Sequence, residues 1–117
     1  MLLDGLKRLV KESELYHEQL KTEVPVQIGF RLVDTGEEAS LIFHNKITVE
    51  ADISDTIGIL TMQSTTFQQI MTGEADFGAL IGRSSISDVR PINYEIRIPE
   101  RFPEAFETVK SLMNGFF

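Results

Sequence analysis

The chain contains no cysteine among its 117 residues, which excludes a disulfide framework, a thiolate nucleophile and any cysteine-based metal site. Histidine is nearly as scarce, with only His17 and His44. A zinc site needs three or four His, Cys or carboxylate ligands at suitable spacing, and this sequence offers no such set. Positive charge is short too: 11 Lys and Arg face 18 Asp and Glu, for a net charge of −7. Gripping phosphates requires a basic surface, so nucleic acid is excluded as a partner, and anionic membranes are disfavoured. No apolar run approaches the roughly 18 residues that span a bilayer. The opening Met-Leu-Leu meets Asp4, Lys7 and Arg8 sooner than the about 7–15 apolar residues of a secretory signal allow. These absences predict a soluble, cytoplasmic chain with no cofactor, no metal and no stable membrane insertion.

What the sequence does have is ordinary for a globular protein: 42% hydrophobic and 25% charged residues, enough for a single domain over 1–117 with one core. Its most informative stretch is 64–82, which reads as two short helices hinged on one glycine. Thr65 and Gln68 have capping-box spacing, and Phe67, Ile70 and Met71 then share a face. Gly73 is a natural stop, since glycine takes the left-handed conformation without a steric penalty. Glu74 and Asp76 put negative charge at the start of the second helix, where the macrodipole favours it. Phe77, Leu80 and Ile81 form its apolar face, closed by Gly82 and Arg83. Helices this short are unstable alone, so both must rest on apolar surface.

Ahead of them, residues 2–21 predict an amphipathic helix with Leu2, Leu6 and Leu9 on one face beside Leu3 and Val10. Pro25 forces the preceding residue out of helical geometry and ends it. Three alternating segments follow at 26–34, 39–43 and 47–53, joined by the turns Asp34-Thr35-Gly36-Glu37 and His44-Asn45-Lys46. Turns this short join antiparallel neighbours, so a meander with one buried and one wet face is expected. Residues 56–63 alternate less clearly, as a strand covered on both faces would. After the helix pair, 84–89 is a weak strand, while Ile92, Tyr94, Ile96 and Ile98 alternate well. A final helix begins near Pro103, with Phe102, Phe106, Val109, Met113 and Phe116 on one stripe widened by Ala105 and Leu112. The fold class is therefore α+β: a five-stranded, mostly antiparallel sheet with one face covered by helices.

The helices carry more apolar surface than one sheet face needs. Either they pack on one another as plain core, or they stand off the sheet around an apolar cavity walled by Met62, Met71, Met113 and the phenylalanines. Methionine suits such a wall, because it repacks around ligands of varied shape. Burying a methylene is worth about 0.8 kcal/mol, so a chain of about 14–16 carbons gains on the order of 10 kcal/mol gross. Several of those are lost to ordering.

The element order resembles that of the sterol carrier protein type two (SCP2) lipid-binding domain. The residues that carry the likeness are Ala51-Asp52, the helix from Phe67 to Gly73, the run from Phe77 to Gly82-Arg83, and Ser85-Ile86-Ser87-Asp88. The family commonly has Gly-Asp where this chain has Ser87-Asp88, and the strand at 92–98 is additional to its pattern. The resemblance implies a tunnel between sheet and helices that binds or carries fatty acyl chains, acyl-CoA or sterols. Its expected lining here is Met62, Phe67, Ile70, Met71, Phe77, Leu80 and Ile81, opposed by Phe106, Val109 and Met113. Phe116 and Phe117 would close or extend it. No catalytic residue is expected: Ser84 or Ser85 with His44 and Asp88 lacks a nucleophile elbow. The competing expectation is an interaction module, with its apolar helical surface against another subunit in a homodimer.

Overall fold

The computed structural model describes residues 1–14, 25–82 and 91–114. Residues 15–21 of the first predicted helix, the weak strand at 84–89, the motif around Asp88, and Phe116 and Phe117 all lie outside these residues.

Helix α1 (Leu2–Glu12) is followed by β1 (Val26–Leu32), β2 (Glu38–Phe43), β3 (Ile47–Glu50) and β4 (Gly58–Met62). Helices α2 (Ser64–Met71) and α3 (Phe77–Gly82), strand β5 (Ile92–Ile96) and helix α4 (Phe102–Asn114) complete the order. The sheet runs β3-β2-β1-β4-β5. Three of its neighbour pairs are antiparallel, as the meander predicts, but β1 and β4 pair in parallel, with Phe30 opposite Leu60 and Leu32 opposite Met62. A parallel partner cannot be reached through a tight turn.

That pairing corrects the length of the third strand. Regular alternation extends to Ile53, yet β3 ends at Glu50, because the chain must leave the sheet edge and cross back over β2 and β1 to begin β4. It does so on the face away from the helices. Ser40 Oγ donates to the Asp52 carbonyl at 2.7 Å, Gln27 Nε2 donates to Ser40 Oγ at 2.8 Å, and Thr56 Oγ1 donates to the Ile53 carbonyl at 2.8 Å. Arg97 secures the crossing from the far side: its Nη1 reaches the carbonyls of Ile53 at 2.9 Å and Ser54 at 3.2 Å. Ile53 and Thr56 thereby cover Ile59, and Gly29 beneath them leaves the room they occupy. The expected covering of the fourth strand on both faces follows from this loop.

The inner face is one core. Val26, Ile28, Phe30 and Leu32 of β1 meet Leu41, Phe43, Leu60 and Met62 from its neighbours, all at most 3% exposed. Helix α1 lies over β2 and β3 through Leu2, Leu6 and Leu9, and α4 lies over β1 through Ala105, Val109 and Leu112. Between them α2 touches α1, and α3 bridges α4 and β5.

Helix α2 does not begin with the expected capping box. It starts at Ser64, one residue before Thr65, and its N-terminal neighbour Gln63 makes no side-chain cap. The cap comes from far along the chain: the Asp34 carboxylate, in the turn after β1, accepts from the Ser64 amide at 2.9 Å and from the Ser64 hydroxyl. Gly73, at φ +79°, ends the helix turn as expected. Asp76 sits just before α3 and accepts from the Ala79 amide at 2.9 Å, whereas Glu74 remains in the connecting turn.

The two bonds from Ser64 hold the Asp34 carboxyl below its ordinary value of 3.8. A depressed folded-state pKa contributes stability that is fully present above the ordinary value and is lost as pH falls through the lowered one. Asp34→Ala is expected to lower the melting temperature at pH 7. The difference from the parent chain should narrow as the pH falls from 3.8 through the lowered folded-state value, in melts followed by circular dichroism.

Candidate functional site

The structure gathers most of the predicted lining residues into one place. Met62 at the end of β4, Phe67, Ile70 and Met71 of α2, Phe77 of α3, and Val109 and Met113 of α4 are all buried in the same apolar cluster. Leu80 and Phe106 pack against its rim, partly exposed. Ile81 belongs to α3, but its side chain, like Phe116, lies outside what is described.

The local sequence explains the convergence. Phe67, Ile70 and Met71 fall at spacings of three and four, so one face of a short helix carries them all inward. Helix α4 does the same with Ala105, Val109, Leu112 and Met113. At the β5 side the two faces are joined by aromatic rings. Phe77 and Phe106 lie 6.4 Å apart between centroids, Phe106 and Phe102 5.7 Å, and Tyr94 stacks on Phe102 at 5.5 Å. Such pairs are each worth about 0.5–1.5 kcal/mol beyond their buried area.

An open groove of about 640 Å³ lies on this layer between α1 and α2, within the about 300–1,000 Å³ usual for small-molecule sites. Helix α1 supplies Asp4, Gly5 and Arg8. Helix α2 supplies Thr65, Gln68 and Gln69 along the rim, with Phe67 and Met71 deeper, and the turn after it adds Thr72 and Glu74. Phe67 and Met71 thus face both ways: each belongs to the core and also lines the groove.

Gly5 makes that possible. A methyl group at position 5 would come 2.8 Å from Cε2 of Phe67, so the ring can lie against the α1 backbone only because residue 5 has no side chain. The sequence reading missed the α1 contribution. The one available signal was a glycine beside the leucine stripe of an otherwise regular amphipathic helix.

The buried polar residues Ser13, Ser40, Thr56 and Ser64 are each hydrogen-bonded within the fold. Among the described residues no three His, Cys, Asp or Glu side chains converge as metal ligands. No helix among them is long and apolar enough to cross a membrane.

Solved structures decide the fold. The chain superposes on a crystal structure of sterol carrier protein 2 over 95% of its own length and 89% of that chain, with a TM-score of 0.58 and 12% identity. The fold is that of sterol carrier protein 2. A second SCP2-like structure, the UbiJ-SCP2 ubiquinone synthesis protein, matches over 96% of this chain and 89% of the other, at a TM-score of 0.54 and 10% identity. The same SCP2-like architecture is found in part of the stereoselective inverting sec-alkylsulfatase Pisa1 from Pseudomonas sp., with a TM-score of 0.53 and 12% identity. That match covers 79% of this chain, which spans only 14% of the sulfatase. No family model and no curated protein sequence matches the chain.

Phe67 is 2% exposed and held between α1 and the core. Removing a buried phenylalanine side chain typically costs about 3–5 kcal/mol, so Phe67→Ala should lower the unfolding free energy by about that amount in chemical denaturation. A loss under about 1 kcal/mol would mean that the ring is not packed as described.

Proposed function

We propose that the chain binds a hydrophobic small molecule, such as a fatty acid, an acyl-CoA or a sterol, without catalysing a reaction on it. The observation that carries this reading is the double position of Phe67 and Met71, which connect an open groove to an apolar interior. The SCP2 fold supports it, since the named neighbour is a sterol carrier. In this reading the tail enters beside Phe67 and extends toward Ile70, Phe77, Leu80 and Ile81. Met62 lies beneath it, Phe106, Val109 and Met113 opposite, and Phe116 at the end.

Methionine is what lets a filled core accept a guest. Met62, Met71 and Met113 are at most 9% exposed, and each unbranched side chain can swing aside for little strain. A tail displacing them exchanges one set of apolar contacts for another, so affinity comes from the net area withdrawn from water. Binding and carriage of lipid in a water-filled compartment, the cytoplasm included, need nothing more than this.

A second reading rests on a different surface. Tyr94 and Ile96 on edge strand β5, with Ile98 just beyond, are 45%, 44% and 40% exposed. Alternation predicts them as buried, but among the described residues β5 has no neighbour beyond it and only Ile92 in the strand is covered. An apolar row on an open edge is suited to contact with another subunit.

Native mass spectrometry of gently purified protein is expected to show an adduct of lipid mass. Thermal melting is expected to rise on adding fatty acid or sterol. Absence of both effects would overturn the binding reading. Light scattering after size exclusion tests the other: a dimer that Tyr94→Lys with Ile96→Lys converts to monomer, with lipid binding retained, would support β5 as a subunit contact.

A further inference from the structure

The rim of the α1–α2 groove carries a chemical preference that the apolar interior does not. Along α2 its hydrogen-bonding groups are uncharged: the carboxamides of Gln68 and Gln69 and the hydroxyl of Thr65, all exposed. The second hydroxyl at hand, that of Thr72, is already committed, since it donates to the Gln68 carbonyl at 3.0 Å. Charge at the rim is balanced, with Asp4 and Glu74 against Arg8 and the amino terminus of Met1. Arg8 also has a competing partner outside the groove, the Glu12 carboxylate one helical turn on, 3.8 Å away.

We propose that this groove selects an amphiphile with an uncharged, hydrogen-bonding head, an alcohol or carbonyl compound in preference to a carboxylate, phosphate or amine. The inference rests on the hydrophobic-ligand reading above and specifies the head group that reading leaves open. An anionic head would have to share Arg8 with Glu12 while standing near Asp4 and Glu74, on a chain of net charge −7. Both cations at the rim already face a carboxylate, Arg8 that of Glu12 and the amino terminus that of Glu37 at 3.2 Å, so an anion gains little net attraction there. A cationic head fares little better: Arg8 lies one turn along α1 from Asp4 on the same side, offsetting the nearer carboxylate, and an ammonium gives up a strongly held hydration shell. An uncharged hydroxyl or carbonyl loses little solvation and meets amides that both donate and accept. Its tail then lies over Gly5 and against Phe67 and Met71.

The test uses three probes of equal tail length on the full chain at pH 7: dodecan-1-ol, dodecanoate and dodecylammonium. Affinities are read by displacement of an environment-sensitive fluorophore below the micellar range. The alcohol is expected to bind about tenfold or more tightly than either ion. Gln68→Leu with Gln69→Leu, at exposed positions that leave the core intact, is expected to weaken the alcohol about three- to tenfold, the effect of losing one net hydrogen bond. Dodecanoate or dodecylammonium binding as tightly as the alcohol would overturn the head-group assignment while leaving lipid binding standing. So would an alcohol affinity indifferent to the double substitution. Failure of all three probes to bind would overturn the assignment together with the reading beneath it.

Discussion

Strand β1 is hydrogen-bonded along both edges, antiparallel to β2 and parallel to β4, and the parallel edge governs the rest of the fold. The meander carries the chain outward from β1 to the sheet edge at β3, so it must return across three strand spacings, roughly 14 Å, before β4 can begin. The connection at 51–57 can reach at most about 23–25 Å when extended, which suffices for the crossing with slack for only one short turn. That turn is made by Asp52, whose carboxylate accepts from the Ser54 amide at 3.0 Å and the Ser54 hydroxyl at 2.6 Å. Because the crossing occupies the outer face, the helices are left the inner one. Every helix then packs against the same apolar surface, and that concentration on one side is what creates a layer thick enough to hold a site.

This ordering of causes explains which features were legible in the sequence. Element order, the stripes of α1 and α4, the hinge at Gly73 and the burial of Phe67, Ile70 and Phe77 all follow from spacing within a few residues. So does the α+β class. What spacing could not reveal depends on residues distant in the chain. The alternation through Ile53 is real, yet it serves two surfaces: Ile47 faces the main core, while Ile53 covers Ile59 on the outer side. A period of two records that a side chain is buried, without recording by what. The capping of α2 shows the same limitation. Thr65 and Gln68 satisfy the local pattern, but Asp34, thirty residues earlier, reaches the amide first, because the parallel pairing brings the end of β1 beside the end of β4.

The exposed residues of β5 mark the reverse error. Tyr94 and Ile96 alternate as a buried face should, and they point to the helix side of the sheet, opposite Leu60 and Gly58. Burial failed because of position: α4 lies over β1 and covers β5 only through Phe102 and Phe106, whose rings reach Tyr94 at 5.5 and 6.3 Å. The same displacement of α4 toward the sheet centre accounts for the aromatic chain from Phe77 to Tyr94, since rings are long enough to bridge a gap that aliphatic side chains would leave open.

The groove arises from a comparable mismatch on the other flank. Helix α1 sits over β2 and β3, α4 over β1, and α2 is left to span between them while anchored at its start by Asp34. Helix α2, eight residues long, lies beside the eleven-residue α1, and the groove between them lies above Phe67. Where Gly5 removes a side chain they touch closely. A larger residue there would push the ring of Phe67 toward the core, and the floor of the groove would change with it. The apolar interior and the polar rim thus meet at one contact between a glycine and a phenylalanine. Phe67, 2% exposed, and Met71 are therefore the wall that the groove and the core share.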